Sequence, residues 1–258
     1  MTESLVTLEL TEQTAIVRLN RPDRHNALVP ELLEDLLDKL NDERSRQARS
    51  VVLAAQGRSF STGGDLLGFW RHRENIADYA QQLVGLLNQV VLCLYTHPAA
   101  VACAVQGQVT GGSLGLLLAA DRVIMKRGVC VTPWYTEVGF SPDGGWTALL
   151  PGLIGREQSR SWLSSNASVT AEKCLDMGIA HELVSNDVVE AALAWSRQIT
   201  EIGAASIHNA RSLLGRNTAQ ITQQLEAERT AFVRQVQTPE AIAGIARFIG
   251  KKLLEESK

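Results

Sequence analysis

The sequence predicts an α/β protein, and three features carry that reading. Short apolar stretches of strand character alternate with amphipathic helical stretches over residues 1–198. Residues 199–258 show helical periodicity and no strand signal. At 258 residues the chain is long enough to bury one large core with an appendage. The expected organisation is therefore a core over 1–198 and a helical C-terminal region over 199–258.

The elements follow in order. Val6, Leu8 and Leu10, then Ala15, Val17 and Leu19, alternate on either side of a polar break, the pattern of a β-hairpin. Arg21-Pro22-Asp23 stops the second strand. Pro30 suits the first turn of a helix whose apolar face is Leu32, Leu33, Leu36, Leu37 and Leu40. Residues 50–55 read as a short buried strand, followed by a glycine-bearing loop over 57–65. Leu83, Val84, Leu86, Leu87, Val90, Val91 and Leu94 mark a long helix that ends before Pro98. The segment 66–79 gives no clear period.

Residues 99–105 form a second buried strand. Residues 114–120 are apolar on every side, as in a helix sunk in the core. Strands are expected at 122–125 and 129–131, and the turn over 139–146 is expected to open another helix. A short extended piece covers 179–184. Asp187 with Glu190 resembles a capping box, Gly215 suits a helix C-cap, and Thr238-Pro239 suits an N-cap and first helical residue.

Composition narrows the function. An apolar share of 45% with 21% charge is that of an ordinary globular protein, and a net charge of −3 without a basic stripe argues against nucleic-acid binding. The N-terminal residues lack a signal-peptide pattern, no apolar run approaches the roughly 18–20 residues of a bilayer span, and the end is not Ser-Lys-Leu. Cys93, Cys103, Cys130 and Cys174 lack C-x-x-C spacing and are expected as buried, reduced thiols. A cytoplasmic location follows as an expectation. The histidines show no metal-ligand spacing, and no dinucleotide, Walker or calcium-loop motif occurs, so neither a metal nor a redox cofactor is implied.

Two glycine-rich turns, Thr62-Gly63-Gly64-Asp65 and Gly111-Gly112-Ser113, each follow a strand and lead into helical sequence. Such turns expose N–H groups, and two converging on one carbonyl oxygen would make an oxyanion hole; equally, they serve close packing. Asp143, in Pro142-Asp143-Gly144-Gly145, suits either a helix cap or an acid–base catalyst.

His25-Asn26-Ala27-Leu28, Ser59-Phe60-Ser61-Thr62-Gly63-Gly64-Asp65-Leu66 and Gly107-Gln108-Val109-Thr110-Gly111-Gly112-Ser113 resemble, in order, three signatures of the enoyl-CoA hydratase/isomerase (crotonase) family. Residues 142–145, with Leu150-Pro151 and Ile154-Gly155, are similar to a fourth. The likeness covers about residues 5–255. It implies a crotonase-like spiral of ββα units that binds an acyl-CoA thioester, coenzyme A entering only as part of the substrate. It also implies a C-terminal helical trimerisation region and a homotrimer or a hexamer built of two trimers.

Carried over by resemblance, the oxyanion donors fall on the amides of Gly64 and Gly112. Arg24, Asn26, Ala27 and Leu28, with Thr62, Gly63, Asp65 and Leu66, would cradle the coenzyme. Gly111 and Tyr135 join the substrate-binding set. Arg24 suits a phosphate contact or a solvated charge equally.

The family's hydratases use two glutamates to hold and activate water. Here those positions fall near Gly115 and Tyr135, which have no carboxylate, so hydration is disfavoured. Asp143 matches the position from which certain isomerases of the family supply their single acid–base. The implied activity is a Δ3-Δ2-enoyl-CoA isomerase, with Glu137 as a reserve carboxylate or a surface ion-pair partner. Three other readings remain open. Asp143 could act as a nucleophile in hydrolase or dehalogenase chemistry, or the chain could bind acyl-CoA without catalysis. Gly111-Gly112-Ser113-Leu114-Gly115 also fits the G-x-S-x-G elbow of a serine hydrolase, with His181 or His208 downstream of Asp143.

Overall fold

A computed structural model describes residues 4–202, 209–210, 213–214 and 217–256. The expected hairpin is β1 (Val6–Thr11) and β2 (Thr14–Leu19), paired antiparallel from Val6–Leu19 to Thr11–Thr14. Pro30 opens α1 (Pro30–Asn41), and the short α2 (Glu43–Gln47) leads into β3 (Ser50–Ala55). The segment without a clear period resolves into α3 (Leu66–Arg71) and the first turn of α4 (Ile76–Tyr95). Asp65 caps α3, its carboxylate accepting from the Leu67 amide at 3.0 Å.

Next come β4 (Ala100–Val105), β5 (Gln108–Thr110), α5 (Leu114–Leu118), β6 (Arg122–Lys126) and β7 (Cys130–Thr132). After α6 (Tyr135–Val138) the chain departs from expectation. No helix opens at Asp143 or Trp146; residues 144–149 form successive turns, and α7 (Leu150–Ile154) begins only beyond them. Three further helices and two strands complete the interleaved part: α8 (Arg156–Ser165), β8 (Val169–Thr170), α9 (Ala171–Asp176), β9 (Glu182–Val184) and α10 (Val188–Ile202). Asp187 accepts from the amides of Val189 and Glu190 at 2.8 and 3.3 Å, the forward half of the expected cap. The chain then forms α11 (Thr218–Val236) and α12 (Pro239–Glu256), the latter capped by Thr238, whose hydroxyl accepts from the Ala241 amide at 3.3 Å. Residue 198 lies inside α10, and Gly215 lies outside the described residues.

A six-stranded sheet runs β1-β2-β3-β4-β6-β9, parallel after the first pair. A second sheet of β5, β7 and β8 is continued by bridges at Ser61–Val109 and Leu28–Gly64. Successive turns of the chain thus add one strand to the large sheet and a short extended piece to the small one, which is the expected spiral. Strand alternation divides the core: Val51 and Leu53 join the main cluster, whereas Val52, Ala54, Ala102, Ala104 and Ile124 face α10. Cys103 and Cys174 are buried, but Cys93 and Cys130 are only half-buried.

Candidate active site

The two glycine turns lie against each other. A Cβ on Gly63 would sit 2.6 Å from the Thr110 carbonyl oxygen and 3.5 Å from the Gly111 Cα, so only glycine lets the loops approach this closely. The next residues are Gly64 and Gly112. Leu28 pairs with this segment through its own amide to the Gly63 carbonyl and its carbonyl to the Asp65 amide, which leaves the Gly64 N–H out of the bridge. Gly112 is the second residue of a 3-10 turn over Gly111–Ser113, where an N–H has no carbonyl of its own turn to meet.

The 139–145 loop places Asp143 against the second turn. A Cβ on Gly115 would lie 1.8 Å from the Gly144 carbonyl oxygen, so α5 and the loop touch backbone to backbone. The Asp143 carboxylate oxygens stand 2.8 and 3.0 Å from where a Cβ on Gly112 would be. Asp143 is 8% exposed and caps no helix. Its Oδ1 accepts from the Tyr135 hydroxyl at 2.7 Å, and that hydroxyl also donates to the Asp143 carbonyl at 3.1 Å. No side-chain donor among the described residues reaches Oδ2, and the carboxylate also accepts from its own backbone amide. Burial pushes the Asp143 carboxyl up to about 7; the Tyr135 hydrogen bond opposes this, and the charge of Glu228 adds to it. Burial and the adjacent carboxylate push the Tyr135 phenol well above its ordinary range.

Tyr135 faces inward because of Trp134, whose backbone is left-handed at φ 66°, an uncommon state for an aromatic residue. That kink leaves Trp134 at the rim, 37% exposed and edge-on to Phe248, and turns Tyr135 inward at 5% exposure. Trp146 is fully buried; its indole donates to the Gly111 carbonyl at 2.8 Å and its ring meets that of Tyr135.

Asp143, Gly64, Gly112, Gly63, Gly111 and Tyr135 open on a cavity of about 640 Å³. Arg24, Ala27, Thr62, Asp65 and Leu66 also line it, as does exposed Glu137. Two expected binding residues are absent from this wall. Asn26 is fully buried and holds the loop together, accepting from the Arg21 amide and donating to the carbonyls of Gln56 and Ser59. Leu28 lies in the core at 1% exposure. Asp65 bonds Arg21 at 2.8 Å and Arg24 at 3.2 Å. Burial works against its charge, yet the Arg21 hydrogen bond and both guanidinium charges hold its carboxyl below the usual range.

Several residues at the site were not among those expected from the sequence. Phe232 of α11 and Gly244, Arg247 and Phe248 of α12 line the cavity. Phe69, Phe140 and Phe232 form one ring cluster, with centroids 5.3, 5.9 and 5.1 Å apart. Glu228 is buried behind the loop. Its carboxylate accepts from the amides of Gly145, Thr147 and Ala148 at 2.7, 2.6 and 3.0 Å and from the Thr147 hydroxyl at 2.6 Å. Its sequence clue is an acid set in the stripe Ile221, Leu225, Glu228, Phe232, Val236, where helical spacing calls for apolar residues.

Among the described residues the serine-hydrolase arrangement is not formed. Ser113 is fully buried and donates to the carbonyls of Thr110 and Ser61, and the His181 ring bonds the Val123 amide. His208 lies outside the described residues. Among the described residues no cluster of His, Cys, Asp and Glu could hold a metal ion, and no helix is long and apolar enough to cross a membrane.

Comparison with known proteins finds relatives over most of the chain. The YhaR protein of Bacillus subtilis, which carries an enoyl-CoA hydratase/isomerase name, is 28% identical over 243 residues, 92% of this chain and 93% of that one. The trans-2-decenoyl-acyl-carrier-protein isomerase of Streptococcus mutans is 27% identical over 77% of this chain and 76% of its own. The crystal structure of an enoyl-CoA hydratase from Bacillus halodurans matches with a TM-score of 0.87 at 26% identity, covering 95% of this chain and all of that one. The α/β spiral is therefore the crotonase fold. The family model for enoyl-CoA hydratase/isomerase matches residues 9–255, and the chain belongs to that family.

Proposed function

We propose that this chain is a Δ3-Δ2-enoyl-CoA isomerase working through one carboxyl group. The observation that carries the reading is Asp143: a buried carboxylate against Gly112, with a pKa pushed up to about 7 and only one side-chain donor, Tyr135, upon it among the described residues. A base poised near neutrality can both take and return a proton. In the proposed reaction the thioester oxygen of a 3-enoyl substrate rests on the Gly64 and Gly112 amides. Oδ2 of Asp143 removes a proton from C2; the C2–H electrons form the C1–C2 bond of a dienolate, whose charge collects on the oxygen held by the two amides. The same carboxyl then protonates C4, the double bond settles between C2 and C3, and Asp143 is again ionised. No cofactor takes part.

The hydratase alternative meets a physical obstacle. A carboxylate at position 115 would have to occupy the place of the Gly144 carbonyl, and position 135 offers a phenol already bonded to Asp143. Relatives carry hydratase and isomerase names alike, so the distinction rests on these two positions. Assembly as a homotrimer or a pair of trimers belongs to the same proposal and is read directly by light scattering.

The test is exchange of solvent deuterium into C2 and C4 of a panel of acyl-CoA thioesters. Wild type is expected to label both carbons and to convert 3-enoyl into 2-enoyl thioester. Asp143→Asn should lose about 10²–10⁴ in rate while folding normally. Wild-type exchange rates in a folded Asp143→Asn protein would end this reading.

A further inference from the structure

We infer that Glu228 is a positioning residue for the proton transfer, fixing both the place and the proton affinity of Asp143 through the turn that follows it. This goes beyond the isomerase reading, and rests on it only in naming Asp143 as the acting base. Glu228 arrives from α11, more than eighty residues downstream, and is 4% exposed. All four of its hydrogen-bond partners are donors, three of them amides from residues 145–148. Burial pushes the Glu228 carboxyl up, and these donors oppose it, because a protonated carboxyl would aim its O–H into a site furnished with donors. The same bonds satisfy amides of a run that forms turns instead of a helix, and would otherwise be stranded.

The consequence for Asp143 is both mechanical and electrostatic. Gly145 is two residues from Asp143, and its amide is anchored on Glu228 Oε2. Tyr135 from α6 grips the carboxylate itself. Around Asp143, Tyr135 and Glu228 are the titratable groups that act on it; the α5 side presents glycine backbone and α4 presents Leu87. A fixed negative charge in this dry setting disfavours a second one on Asp143 and keeps its proton affinity high. Thr147 extends the network outward, because its hydroxyl accepts from Gln224 at 2.8 Å while donating to Glu228.

The experiment follows the Asp143 carboxyl by carbon-13 NMR in ligand-free protein labelled at aspartate, with Asp143→Asn identifying the signal. In Glu228→Gln the Asp143 titration should move down by about one pH unit or more. The acid limb of the kcat/KM profile should move with it, and kcat should fall more than KM rises. Thr147→Val, which keeps the side-chain volume and removes one donor from Glu228 while leaving its charge, should shift the signal by less, and carries the test if Glu228→Gln fails to fold. An unmoved Asp143 titration in folded variants, with only a lower melting temperature, would overturn the inference and leave Glu228 a plain structural tie. A shifted titration in a protein whose wild type exchanges no substrate hydrogen would sink the isomerase reading and leave the coupling standing.

Discussion

Asp143 has a proton affinity set by neighbours that pull in opposite directions. Burial and the Glu228 charge raise it, and the Tyr135 hydroxyl lowers it. Tyr135→Phe removes that donor and leaves the ring in place, so the kinetic pKa should rise above about 7, by roughly one pH unit. Activity at neutral pH should then fall several-fold, recovering toward wild type at higher pH, with KM little changed. An unaltered pH profile would show that the phenol does not tune the base. Stability carries the opposite signature. The folded carboxyl titrates near 7 and the unfolded one near 3.8. Between those values the native state holds a proton that the unfolded chain has released, so stability is full below the unfolded pKa and is lost as pH rises through the folded one. Asp143→Asn escapes this loss. Its melting temperature should gain on wild type by several degrees between about pH 4 and 7 and hold the gain above; a constant difference across that range would contradict the buried, raised carboxyl. Asp143 was legible because glycines and a proline frame it. Glu228 was not, since the turn it holds becomes visible only when a distant helix is seen beside it.

At the scale of elements, the 139–149 loop meets α5 with no side chain between them. The Gly144 carbonyl occupies the space that any side chain on residue 115 would need. Gly115→Ala should therefore cost roughly 1–3 kcal/mol or more, read as a lowered denaturant midpoint, because the obstructing atom is backbone and cannot rotate away. Gly115→Glu should fail to create hydratase activity for the same reason; measurable hydration of a 2-enoyl thioester by this variant would show that the loop can move aside. The strands at 50–55 and 100–105 were readable since both faces of a parallel sheet are covered, leaving runs of apolar residues. The turns over 144–149 were not. An Asp followed by two glycines and an apolar run resembles a helix start, and the Glu228 carboxylate from a distant helix satisfies three amides of the non-helical path.

For the whole molecule, the C-terminal helices are part of the site as well as an appendage to the core. α11 packs along α4 and supplies Glu228 and Phe232, while α12 packs on α3 and α6 and supplies Arg247 and Phe248 to the cavity. The boundary expected at 198 falls inside α10, beyond the last described strand at Glu182–Val184, and the cavity wall draws on residues from both sides of it. What holds α12 against α6 is a close backbone approach: a Cβ on Gly244 would lie 2.2 Å from the Val138 carbonyl oxygen and 2.9 Å from its Cα. Gly244→Ala must push the helix outward, and with it the wall bearing Arg247 and Phe248. The direct clash falls on the Val138 carbonyl at the end of α6, three residues from Tyr135; with the shift taken up by the longer α12 and the Tyr135–Asp143 bond kept, the chemistry should persist while binding weakens. The expected outcome is a KM raised several-fold, a kcat within about twofold of wild type and an Asp143 titration left near 7, the pattern of lost uniform binding. Stability should drop by roughly 1–3 kcal/mol. Wild-type KM in this variant would mean that α12 is a bystander to the cavity, whereas a collapsed kcat with a moved Asp143 titration would mean that it governs the base as well.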